Sequence, residues 1–236
     1  MASSSTPATP LLYACVAYNT TILAECTTSS SQTSSLAALI LPKIDHSSPQ
    51  KLTYTHGTHH IHYIAASPSE YPATQSSAGG LTYLVVSDSA AVNRRISFGF
   101  LVELRRRFLA AYPPESTDFA DLPHYGSASF NGDTRSLMVE YGTTAAGRDD
   151  ALGNVRREMD DVRGVMTRNI EGLLERGERI DLLVDKTDRL GQGASEFRVR
   201  SRGIKRRMWW KNVKLMALLA FVVVLIVATI VVSVKN

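Results

Sequence analysis

The chain is poor in cysteine, with Cys15 and Cys26 alone among 236 residues. That excludes a disulfide framework and any zinc site built from several thiolates. No glycine loop is followed by the lysine that would cradle a nucleotide's phosphates, so the chain is not expected to hydrolyse nucleotide itself. The N-terminal MASSSTPATP has neither the basic region nor the apolar core of a signal peptide. No acidic residue follows Glu196, and residues 215–234 contain no charged side chain at all. These last two absences carry the most information. They imply a chain tied to a membrane and working by assembly rather than by chemistry.

The uncharged run reads LMALLAFVVVLIVATIVVSV. As a helix it is about 30 Å long, the hydrocarbon thickness of a bilayer. Upstream of it lie Arg198, Arg200, Arg202, Lys205, Arg206, Arg207, Lys211 and Lys214, against only Lys235 and Asn236 beyond. The charge bias places residues 1–214 in the cytoplasm. A span reached so late in the chain is expected to insert after translation, as a tail anchor. Arg206, Arg207, Trp209, Trp210, Lys211 and Lys214 are expected at the headgroup boundary, where amphipathic indoles and cations are favoured. The net charge of +4 is concentrated here, so anionic lipid is a nearer partner than nucleic acid. A cytoplasmic location also predicts two reduced, partly buried thiols rather than a cross-strand disulfide.

Residues 11–112 have the pattern of an α+β domain. Residues 11–18 and 21–27 are strand-like runs around a tight turn at Asn19 and Thr20. Leu36, Leu39 and Ile40 mark a short helix stopped by Pro42. Residues 51–56 and 60–66 form a second hairpin around Gly57, and LTYLVVS at 81–87 is a more buried strand. The intervening residues 67–80, rich in Ser, Pro, Ala and Gly, predict a long exposed loop. Asp88 is the expected cap of a helix continuing to Tyr112, with Val92, Ile96, Phe100, Leu104 and Phe108 as its buried stripe and the other face solvated. Residues 113–149 are mixed, with one short helix expected at 134–141 and enough apolar residues to dock somewhere. His56, His59, His60 and His62 cluster on one hairpin, but strand alternation sends His59 and His60 to opposite faces, against a metal site.

From Ala151 the pattern changes. Leu152, Val155, Met159, Val162, Met166, Asn169, Leu173, Arg176, Ile180, Leu183, Thr187, Leu190, Ala194, Phe197, Ser201 and Ile204 are spaced alternately three and four apart. That is the heptad rhythm of a narrow seam facing partner helices. At roughly 80 Å as a helix, the seam is too long for the preceding domain to cover, so it must find other chains. Arg176 sits inside it, and a guanidinium buried there needs acceptors from its partners, whether carboxylates or glutamine carbonyls. In return it fixes register, because a one-heptad slip leaves it unpaired. Asn169, Thr187, Ser201 and several glycines weaken the helix. Residues 150–204 are therefore expected to be poorly ordered or held back alone, becoming a continuous helix only on assembly.

The stretch VRREMDDVRGVMTRNIEGLLERGERIDLLVDKTDRL resembles the synaptobrevin-like, arginine-bearing SNARE family, with Asn169 and Arg176 matching its polar and central ionic layers. Residues 1–125, including KLTYTHG, resemble the longin domain of one branch, and RRMWWKNVKL resembles its approach to the anchor. The resemblance implies an α+β longin domain with a five-stranded mixed antiparallel sheet and packed helices. A connector at 126–149, a coiled-coil SNARE segment at 150–210 and a transmembrane helix at 215–234 follow. It further implies that Arg176 meets three glutamines from target-membrane Q-SNAREs in a parallel four-helix bundle. An external ATPase with its adaptor would disassemble that bundle, and the longin domain would fold back on the SNARE segment and engage trafficking adaptors. GERIDLLVDKT most resembles the endosomal, lysosomal or vacuolar branch, whose related forms also serve exocytosis at the plasma membrane. The alternative is a longin-type trafficking regulator that sorts or tethers without driving fusion. No cofactor is implied.

Overall fold

A computed structural model describes residues 9–28, 32–158 and 165–173. β1 (Leu11–Tyr18) and β2 (Thr21–Thr27) form the expected hairpin, turned at Asn19 with φ 49°. α1 (Gln32–Ile40) ends where Pro42 enters a 3-10 turn. β3 (Gln50–His56) and β4 (His59–Ala65) pair around Gly57, whose φ of 55° suits a residue without a Cβ. β5 (Leu81–Asp88) completes the central strands, and its continuous apolar run is explained by burial on both faces.

The sheet has six strands rather than the expected five, in the order β2-β1-β5-β4-β3-β6. The sixth, β6 (Met166–Asn169), comes from the heptad segment and runs parallel to β3, whereas the other pairings are antiparallel. Alternate residues feed two cores. Ala14, Val16, Tyr83 and Val85 pack with α2 (Arg94–Ala111) and α3 (Asn131–Thr143), while Tyr13, Cys15, Ile61 and Val86 pack in the cluster of α1. Cys15 and Cys26 thus belong to different cores and are free thiols.

Three local expectations are corrected. Asp88 ends β5 and holds the turn at Ala90, whereas α2 is capped by Asn93, whose side chain accepts from the Arg95 N–H at 3.1 Å. The face of α2 expected to be solvated is covered in part, burying Gly99 and Glu103 where α4 (Ala145–Glu158) and α3 pack, while Arg95 and Arg106 stay exposed. The short helix expected at 134–141 extends over α3's full thirteen residues, with Leu137, Met138 and Tyr141 buried.

Residues 67–80 are not a simple exposed loop. Ser67 caps a 3-10 turn reciprocally with Glu70, and a second 3-10 stretch, Ala73–Gly80, buries Ala78, Gly79 and Gly80. Gly79 lies against the Pro68 backbone, where a Cβ would collide. The Asn19 N–H donates to the Gly80 carbonyl at 2.8 Å, tying this segment to the β1–β2 turn.

Candidate functional site

The heptad segment meets the N-terminal domain in two places. Thr144 starts α4 by accepting the Gly147 N–H on its hydroxyl at 2.9 Å, so the helix begins before the seam does. Ala151 is fully buried in the cluster that holds α2, and a Cβ on Gly99 would run into the Ala151 backbone. The Tyr141 hydroxyl donates to the Asp150 carboxylate, and Arg148 donates to the Gly142 carbonyl at 3.0 Å. Leu152 is half-buried and Val155 lies within the same helix.

The second meeting point is on the strand edge. In β6, Met166, Thr167, Arg168 and Asn169 lie opposite Leu52, Thr53, Tyr54 and Thr55. Arg94 reaches over from α2, donating to the Val165 carbonyl at 3.3 Å and to the Thr167 hydroxyl at 2.6 Å. Asn169 accepts the Glu171 N–H at 3.0 Å and so opens the 3-10 turn Ile170–Gly172. That turn drops Ile170, fully buried, into the cluster containing Leu36, Ile40, Tyr54, Ile61 and Tyr63. Leu173 packs against the same cluster in part.

Sequence reasoning ranked these residues differently. Met166, a seam position, is 56% exposed, whereas Ile170, off the seam, is the anchor. An extended backbone at 166–169 also replaces the helix that the seam spacing requires on assembly. The available signal was Val165, Ile170 and Leu174, apolar residues outside the a and d positions, which give the segment a second face to bury. Met159, Val162, Arg176, Ile180, Leu183, Thr187, Leu190, Ala194, Phe197, Ser201 and Ile204 lie outside the described residues. So do Arg206, Arg207, Trp209, Trp210, Lys211, Lys214 and the run 215–234. Among the described residues no helix is long and apolar enough to cross a membrane.

Of the four hairpin histidines, His62 serves packing. His62 is fully buried, its Nδ1 lies 2.9 Å from the Thr53 hydroxyl, and its ring meets Phe98 edge-on at 5.3 Å. Burial pushes its pKa down to about 3, with the neighbouring His60 and Arg94 adding to the shift. Among the described residues no group of three or more His, Cys, Asp or Glu side chains could hold a metal ion.

Comparison with known proteins matches both parts of the chain. The family model Synaptobrevin covers residues 151–231, and the model Longin, a regulated-SNARE-like domain, covers residues 23–133. Vesicle-associated membrane protein 7B of Dictyostelium discoideum is 33% identical over 95% of this chain and 80% of its own length. Vesicle-associated membrane protein 712 of Arabidopsis thaliana is 34% identical over 92% of this chain and 91% of its own. Vesicle-associated membrane protein 7 of Rattus norvegicus is 31% identical over 94% and 92%.

Proposed function

The chain belongs to the synaptobrevin family as a longin-domain R-SNARE acting in vesicle trafficking, and from that premise we propose that it drives membrane fusion by zippering with three Q-SNARE helices. It acts by assembly and not as an enzyme. Arg176 supplies the central ionic layer, donating to three glutamine carbonyls, and Asn169 supplies a polar layer nearer the N-terminal end. Residues 215–234 anchor the chain in an endosomal, vacuolar or vesicle membrane, with the basic run 198–214 on the cytoplasmic side. Disassembly falls to an external ATPase and its adaptor, and the longin domain is the surface for trafficking adaptors.

The observation that carries this reading is the unbroken heptad with Arg176 inside the Synaptobrevin match at 151–231, and the pairing of Met166–Asn169 with β3 supports a restrained state before assembly. Four residues cannot be a strand on the longin sheet and a helical turn of a bundle at the same time. The closed chain therefore withholds part of its seam, and assembly must first strip β6 from β3. The bundle offers sixteen seam positions in exchange, so partners can outcompete a clasp that rests on one buried isoleucine and a few hydrogen bonds.

The test is lipid mixing between vesicles bearing the full chain and vesicles bearing three Q-SNAREs. The proposal expects fusion that Arg176→Asp largely abolishes, because it replaces the guanidinium with a buried carboxylate that no cation in the layer compensates. Fusion at equal rates for both proteins would contradict the central-layer role of Arg176, and tethering without lipid mixing would favour a non-fusing regulator.

A further inference from the structure

The strand clasp on the α1 side does not explain why α4 is helical. Its sequence, AAGRDDALGNVRRE, includes Gly147, Asp149, Asp150, Gly153 and Asn154, all weak helix formers. Isolated helices of fewer than about 12–15 residues are marginal in water even when their residues are favourable. What α4 has instead is a support built by the longin domain. Thr144 caps it, Tyr141 holds Asp150, and Gly99 lets α2 approach so closely that Ala151 is fully buried. The same helix contains the first two seam positions, Leu152 and Val155.

A zipper that pulls on a membrane must close toward the anchored end. With the apolar run at 215–234, that means starting from the end that α4 occupies. The first helical turn is the costly one to form, since several residues are fixed for one hydrogen bond, and later turns are added cheaply. We propose that the longin domain acts on the SNARE segment in two opposite senses. It clasps residues 166–172 in a conformation the bundle cannot use, and through the Gly99–Ala151 contact it templates residues 145–158 in the helical form from which zippering starts. Removing the domain from α4 then costs assembly speed, even though removing it from β6 gains it.

This inference rests on the clasp reading above, so the experiment separates them. The full chain is reconstituted in liposomes with Ile170→Ser as the common background, which frees the clasp, and is compared with the same protein also carrying Gly99→Ala or Gly99→Leu. Alanine favours α2's own helix, so any loss confined to 145–158 comes from the contact and not from α2. The probe is a soluble three-helix acceptor assembled from glutamine-SNARE motifs, read by association rate together with amide exchange of residues 145–158. Templating predicts faster exchange there and association slowed about fivefold or more. Exchange that rises in neither variant, or association as fast as or faster than the background, overturns it. Failure of the clasp reading shows elsewhere, as equal association rates for wild type and Ile170→Ser.

Discussion

His62 is a buried base kept neutral. Its pKa is pushed down to about 3 by burial, from 6.5 for an exposed imidazole. The unfolded chain therefore takes up a proton near pH 6.5 that the folded domain refuses. Its contribution to stability is complete above pH 6.5 and is lost as pH falls through the interval below, at about 1.4 kcal/mol per pH unit. Urea unfolding midpoints should drop steadily from pH 6.5 to pH 4, and His62→Gln, which can keep a partner for Thr53, should flatten that slope. An unchanged slope in the variant would mean that other groups carry the acid sensitivity. Cys15 makes a parallel case. Burial pushes its thiol up to about 12, and Cys26 is raised for the same reason. Thiolate is the reactive form, so native protein at pH 7.5 should resist maleimide at both sites and label quickly in urea. Rapid native labelling would contradict the two-core packing that separates them.

At the scale of elements, β6 is held mainly by one side chain. Ile170 is fully buried beside α1 and β3, yet in the heptad it falls between the seam positions Asn169 and Leu173. Truncating a buried isoleucine costs about 2–4 kcal/mol, which lowers the closed-to-open ratio by about 30-fold or more. Ile170→Ser should therefore speed association with a three-helix acceptor in stopped-flow measurements while leaving the melting temperature of the finished bundle unchanged. Arg94→Ala should act in the same direction but less, because it removes two hydrogen bonds worth about 1 kcal/mol each. A bundle destabilised as much as the clasp would show that Ile170 belongs to the seam after all.

Across the whole molecule, the parts legible in the sequence were those whose local chemistry and tertiary setting agree. The Asn19 and Gly57 turns, the period-two strands and the apolar stripe of α2 fall in this class. Where a second structure competes for the same residues, sequence pattern alone misleads. Met166–Asn169 carries a helical repeat that the proposed bundle would use, and that repeat conceals the strand adopted when β3 offers an open edge. The start of α4 was hidden for a related reason, since its helicity comes from Thr144, Tyr141 and Gly99 and not from its own residues. The closing of residues 67–80 into 3-10 turns likewise depends on the fit of Gly79 to the Pro68 backbone, which composition does not reveal.

The central claim is that longin clasp and SNARE bundle are exclusive states of the same residues. It is tested most directly by amide hydrogen exchange on the reconstituted full chain, before and after a three-helix acceptor is added. In the free chain, the β3 amides turned toward β6 and the alternate amides of residues 166–170 turned toward β3 should both be protected. Once the bundle forms, residues 166–170 should be protected as helix while those β3 amides, stripped of their partner strand, become fast. If the β3 edge exchanges at the same rate in both states, β6 does not leave it on assembly, and the account is wrong.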